Sequence, residues 1–160
     1  MFIKILSYDR HLINNLIDEV KIGIVYQDKY RTSLNVKNKI EEFMNAPPLK
    51  TIESFPCTLI SIDAADEEQL KYLIENAGID ILYVAPLRAF DLEIITSISR
   101  KNKITTLTGI PEYVDMGIAL GLELKGDKPR IIVNLTAAKA EGADFSSRLL
   151  KLARVIEKDS

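Results

Sequence analysis

The chain alternates short runs of branched and aromatic residues with segments of helical periodicity, and this rhythm restricts it to few architectures. Val20 to Tyr26 reads V-K-I-G-I-V-Y, Cys57 to Ile62 reads C-T-L-I-S-I, Ile79 to Val84 reads I-D-I-L-Y-V and Ile104 to Leu107 reads I-T-T-L. Length and residue type make each of them a strand. Between them the spacing predicts helices over 32–45, over the run E-E-Q-L-K-Y-L-I-E-N that follows Asp66, and over 87–99. Apolar strands separated by helices are the mark of a mainly parallel sheet covered on both faces.

The punctuation agrees. Pro47 and Pro48 stop the first of these helices. Asp66 caps the second, with Gln69 at capping-box spacing, and Gly78 ends it. Phe2, Ile5, Leu6, Leu12, Ile13, Leu16 and Ile17 predict an opening amphipathic helix over 2–17; residues 49–55 suit a short edge strand and 111–115 a short helix. Gly117 to Leu124 and Arg130 to Leu135 follow one another across Lys125-Gly126-Asp127-Lys128, which predicts an antiparallel hairpin, with Pro129 where one lost donor is tolerated. Leu149, Leu150, Ala153 and Ile156 predict a terminal helix capped by Asp144 or Ser146, with Arg148, Lys151, Arg154 and Lys158 around its polar side. The expected architecture is a three-layer α/β sandwich with a mixed, mainly parallel sheet and a C-terminal antiparallel hairpin, built as one domain over residues 1–160.

Several function classes are disfavoured. Twenty-one basic and 23 acidic residues give a net charge of −2, without the basic excess that a nucleic-acid partner demands. No apolar run approaches the roughly 20 residues that span a bilayer, so direct membrane insertion is not expected. The opening M-F-I-K-I-L-S-Y-D-R is not a signal peptide, since Lys4 interrupts its apolar run and no small-residue cleavage segment follows. Cys57 is the only cysteine, which excludes an internal disulfide; P-C-T-L-I-S-I suits a buried small hydrophobe.

Catalytic and metal chemistry is sparse as well. His11 stands without a second soft ligand nearby, and Asp63, Asp66, Glu67 and Glu68 follow no calcium-loop pattern and read as helix-capping charges. No glycine-rich phosphate loop follows the first strand, and Ser7, Ser61, Ser99, Ser146 and Ser147 lack a nucleophile-elbow setting. No cofactor, metal or catalytic residue is expected. The loops after the strands, Y-V-A-P-L-R at 83–88 and T-G-I-P-E at 108–112, are where an α/β fold gathers recognition residues, so Arg88, Phe90, Thr108, Glu112 and Tyr113 are candidates for a ligand or partner site. Arg88, at the start of the expected helix, opposes its dipole, which suits either a structural salt bridge or outward recognition. Thr108 and Glu112 serve equally well as caps and turn stabilisers.

The chain also resembles a family. I-D-I-L-Y-V-A-P-L, then T-L-T-G-I-P-E-Y-V-D-M-G, then I-I-V-N-L-T-A-A-K-A-E-G-A-D-F-S-S-R-L-L-K-L-A-R-V-I is similar to the YfiR/HmsC-like periplasmic proteins, and K-I-G-I-V-Y and C-T-L-I-S-I extend the resemblance toward the N-terminus. The resemblance implies an exported, noncatalytic α/β regulator, often a homodimer, that restrains a membrane-bound diguanylate cyclase through the cyclase's periplasmic domain and so affects cyclic-di-GMP signalling and biofilm formation. Export implies a leader that residues 1–160 do not contain. Asn134, Ser146, Ser147 and Arg148 are the clearest polar members of the shared pattern and are expected to be structural or partner-facing. The chain departs from the family in having no tryptophan and in its single cysteine. An alternative expectation from the residues themselves is a small-molecule-binding α/β sensor, with an effector between residues 86–90 and 109–113.

Overall fold

An unbroken apolar run belongs inside a sheet, and β1 (Val20–Tyr26) lies there, with five of its seven residues buried. The computed structural model describes residues 1–158. Two short helices, α1 (Phe2–Leu6) and α2 (Arg10–Asn15), precede β1. After it come α3 (Arg31–Asn45), β2 (Thr51–Ile52), β3 (Phe55–Asp63), α4 (Glu67–Asn76), β4 (Ile81–Val84), α5 (Leu92–Lys101), β5 (Thr105–Thr108) and α6 (Pro111–Asp115). The chain closes with β6 (Leu120–Lys125), β7 (Lys128–Asn134), α7 (Leu135–Ala140), α8 (Ser147–Leu152) and β8 (Arg154–Ile156).

The strands form a sheet of order β2-β3-β1-β4-β5-β6-β7-β8. Only β2 with β3 and β6 with β7 run antiparallel; the other neighbours are parallel. The hairpin turns tightly at Gly126, whose φ of 66° is open to glycine at no steric cost. Helices cover both faces. On one, Val20 and Ile22 meet Leu6, Leu12, Ala137 and Leu149. On the other, Val25 and Leu82 meet Leu70, Ile74, Leu92 and Ile95 from α4 and α5. This is the mixed three-layer sandwich that the alternation predicts.

Five local expectations are corrected. The opening helix is two helices, broken because Asp9 turns inward: it is fully buried and its Oδ1 accepts from the amides of His11, Leu12 and Asp144, while Oδ2 accepts from Thr105 Oγ1 at 3.2 Å. The helix expected over 87–99 starts at Leu92, where Asp91 caps it by accepting from Glu93 N. Arg88 therefore lies in a loop and opposes no helix dipole. The expected terminal helix stops at Leu152, and Arg154–Ile156 becomes β8 because β7 offers a free ladder edge. The T-A-A-K-A run, assigned to no element in the sequence, forms α7. Cys57 is only half-buried and β3 is largely open apart from Ile62, since the two residues of β2 are all that flanks that edge.

Two long-range links hold distant parts of the chain together. Residues 8–10 are clasped to residues 144–146: Arg10 N donates to Asp144 O, Ser146 N donates to Tyr8 O, and Arg10 Nη2 pairs with Asp144 Oδ1 at 2.8 Å. The other link lies in the sheet, where β5 and β6 pair only at Leu107 and Thr108. Short of that ladder, a fully buried Glu141 supplies the missing acceptor: Thr106 N donates to Glu141 Oε1 at 2.9 Å, and Thr106 Oγ1 meets Oε2 at 2.5 Å while accepting from Ala119 N.

Candidate functional site: an apolar cleft beside the strand-end loops

α3 is the anomaly from which the site is built. It has fifteen residues and buries one of them, Ser33, whose Oγ accepts from Gln27 N at 2.8 Å. That bond holds the start of the helix against the end of β1; further along, Met44 packs against the core, but no residue of the helix other than Ser33 is buried. Ile40, Phe43 and Met44 consequently face Phe2, Ile3 and Leu6 of α1 across a cleft of about 400 Å³. Its floor is Leu59, Ile22, Ile81, Tyr83, Leu107 and Leu122, contributed in that order by β3, β1, β4, β5 and β6. Phe43 remains 55% exposed at the mouth, with Lys50 Nζ 4.7 Å from its ring centroid. Lys39 is the one charged residue of the lining and, among the described residues, makes no ion pair, whereas Lys37 beside it is bound to Glu41 at 2.7 Å.

Tyr83 joins this cleft to the strand-end loops. Its ring lines the floor, edge-on to Phe2 with the ring centroids 5.8 Å apart, and its hydroxyl lies close against Gly109. A Cβ at Gly109 would stand 2.8 Å from that oxygen, so the contact depends on glycine. Burial raises the Tyr83 pKa, and the Gly109 amide partly offsets the rise.

The strand-end loops are knitted together. The Gln27 side chain clasps the backbone of Arg88, accepting from Arg88 N at 2.7 Å and donating to Arg88 O at 2.9 Å. The Arg88 guanidinium lies exposed over the Tyr30 ring, 4.2 Å from its centroid. Tyr113 bridges to the same loop: its hydroxyl accepts from Leu87 N and donates to Leu87 O. Thr108 is fully buried; its hydroxyl donates to Val84 O and accepts from Ile110 N, so it serves the scaffold. Phe90 is half-buried against the α5 side of the core, and Glu112 is exposed in the first turn of α6.

The other sequence candidates lie apart from these loops. Asn134 is fully buried and caps α7 through Ala137 N, while its Nδ2 donates to Val114 O and to Lys158 O. Ser146 caps α8 by accepting from Leu149 N; Ser147 and Arg148 are exposed. The cleft, Lys39 and Glu141 were missed by sequence reasoning, although the apolar side of α3 was a visible signal; Tyr83 was read as the start of a recognition loop, and its place on the cleft floor was not. Among the described residues no group of three or more His, Cys, Asp or Glu side chains is placed to hold a metal, and no helix is long and apolar enough to cross a membrane.

Three solved structures share the architecture. An ABC domain from Streptococcus pneumonia in complex with L-Trp aligns with a TM-score of 0.67 at 13% identity, over 96% of this chain and 60% of its own. A substrate-binding protein with adhesive properties from Clostridium difficile, in a ligand-free open form, aligns at 0.63 and 18% identity, over 88% of this chain and 55% of its own. A conserved domain protein from Vibrio cholerae aligns at 0.60 and 13% identity, over 98% and 59%. The chain thus spans little more than half the length of these proteins. Comparison with proteins of curated function finds no sequence match.

The class so defined is a three-layer α/β sandwich that shares its fold with part of each of these solved structures, bearing an open apolar cleft on one sheet face. Within that class the chain belongs to the YfiR/HmsC-like family (DUF4154), whose sequence model matches residues 16–154.

Proposed function

We propose that the chain is a noncatalytic regulator, acting as a single periplasmic domain, that binds the periplasmic portion of a membrane-bound diguanylate cyclase and restrains it. Its effect on cyclic-di-GMP and biofilm formation then arises across the membrane, in the partner. The observation that carries this reading is family membership over residues 16–154. The mechanism it requires is modest: a regulator that binds the inactive conformation of the cyclase more tightly than the active one shifts the population toward the inactive state. Arg88 and Glu112, exposed beside the strand ends, are the side chains we assign to partner contact; a homodimer presents two such surfaces. The test is a reconstituted one. The purified chain is added to vesicles bearing the full-length cyclase, on the side of its periplasmic domain, and cyclic-di-GMP production is followed. Saturable inhibition supports the reading, and an unchanged rate at protein concentrations well above that of the cyclase removes it.

A second reading has its own observation. A cleft of about 400 Å³ falls within the roughly 300–1,000 Å³ of small-molecule sites. In this reading the chain senses an effector there, and Tyr83 conveys occupancy of the cleft to the Gly109 loop. The two readings combine when the effector alters affinity for the cyclase.

A further inference from the structure

We propose that the cleft between α1, α3 and the sheet binds a single long acyl chain ending in a carboxylate, with the hydrocarbon along the sheet floor and the carboxylate paired with Lys39. The proposal rests on the second reading, in which this cleft is the effector site, and names the ligand class.

Shape argues first. The floor residues come from five adjacent strands, β3, β1, β4, β5 and β6. Four inter-strand steps of about 4.8 Å make a trough roughly 19 Å long, the form of an extended chain and not of a compact ring. Chemistry argues next. The side chains of Ile22, Leu59, Ile81, Leu107 and Leu122 offer no donor or acceptor, and the one polar side-chain atom of the floor, Tyr83 Oη, lies at its edge close against Gly109. A ligand with polar groups along its length would lose water there and find at most the Tyr83 hydroxyl as a partner, which favours hydrocarbon over the rest of the floor. The end group is set by Lys39, the single charged lining residue, uncommitted to any acid among the described residues. Lys50 Nζ, over the Phe43 ring at the mouth, is bonded to Ala46 O and Pro48 O, and the compact Lys39 ammonium suits one monoanionic head.

The standing-off of α3 completes the argument. Ser33 anchors its first turn and Met44 packs against the core, yet Ile40 and Phe43 line the open cleft and leave an amphipathic helix with less than its usual burial. An acyl chain between helix and floor supplies the missing apolar contacts.

The test is calorimetric titration of the purified chain with dodecanoate, butanoate and dodecan-1-ol as probes. Dodecanoate is expected to bind in a one-to-one ratio, butanoate to give no measurable binding, and dodecan-1-ol to bind more weakly. Lys39→Gln should weaken dodecanoate roughly fivefold, the size of a rim ion pair, and leave the alcohol unchanged. Ile40→Trp, on the helical wall, should block both long probes while circular dichroism shows the fold retained. No binding of dodecanoate by the natural chain overturns the proposal, as does binding that Ile40→Trp leaves intact or a Lys39→Gln variant that no longer distinguishes itself from the natural chain. The vesicle assay keeps the two conclusions apart. Dodecanoate binding without cyclase inhibition removes the regulator and leaves the ligand site; cyclase inhibition that Ile40→Trp abolishes, with no dodecanoate bound, assigns the cleft to a protein segment and removes the ligand.

Discussion

Replacing Glu141 with glutamine should flatten the dependence of stability on pH. Glu141 is fully buried between β5 and β6, close to the carboxylate of Asp9. Burial, more than any other cause, pushes its pKa from 4.5 up to about 8; the Asp9 charge adds to the rise, and the bonds from Thr106 and the charge of Arg100 oppose it. The folded protein therefore keeps a proton that the unfolded chain releases. The stability from this group is complete below the unfolded pKa of 4.5 and is lost as pH climbs toward about 8. The slope for one proton is about 1.4 kcal/mol per pH unit, so going from about pH 5.5 to about pH 7.5 should cost on the order of 3 kcal/mol. Glu141→Gln keeps a carbonyl oxygen for Thr106 N and carries no proton to lose, so its stability should lack this component. Urea denaturation of both proteins at several pH values reads the difference in slope directly, because every other titrating group contributes to both. Equal slopes would refute the assignment of a neutral Glu141 and with it the account of how the β5–β6 gap is closed.

Three more substitutions separate scaffold from surface. Leu149→Ala, at a site 1% exposed, should cost about 2–5 kcal/mol, whereas Leu152→Ala, 71% exposed one turn later, should change the urea midpoint very little. Asn134→Ala removes the α7 cap and the buried side-chain amide bonds to Val114 O and Lys158 O; a loss of about 2–4 kcal/mol is expected, readable by thermal unfolding. Arg88→Ala gives up a stacked guanidinium worth about 0.5–1 kcal/mol and should leave the melting temperature nearly unchanged while weakening binding to the cyclase; a large fall in both would assign Arg88 to the scaffold.

Val20–Tyr26 was legible because burial on both faces writes itself as a continuous apolar run, and the hairpin of β6 and β7, open toward its turn, because two β-rich runs flank Lys125-Gly126-Asp127-Lys128. Local pattern failed where a distant partner decided the outcome. Leu149, Leu150, Ala153 and Ile156 do fall at helical spacing, yet Ala153 is extended and Ile156 pairs with Asn134, since a ladder with β7 outweighs one more helical turn. The opening segment carried a readable sign in Asp9, a capping residue just before R-H-L, which its apolar periodicity obscured. The cleft was illegible for another reason. Ile40, Phe43 and Met44 look the same in sequence whether the helix settles on the sheet or stands off it, and here the anchoring of Ser33 by Gln27 is part of that choice. At the strand-end loops, position was legible and role was not: Thr108 and Tyr113 lie beside the loops they were assigned to, with hydroxyls that bond to backbone.

The clasp between the two ends of the chain bears on the order in which the molecule assembles. Asp144 N reaches Asp9 Oδ1 across 135 residues of sequence, and Asp9 sets the break between α1 and α2. A ribosome delivers β1, β3, β4 and β5 long before it delivers Asp144, so the central strands can associate while the first helices still wait for their partner. α1 is one wall of the cleft, which makes the cleft among the last features to close. Pulse-labelled hydrogen exchange during refolding should accordingly protect the β1 amides before those of α2; the reverse order would mean that the ends meet first and the sheet grows between them.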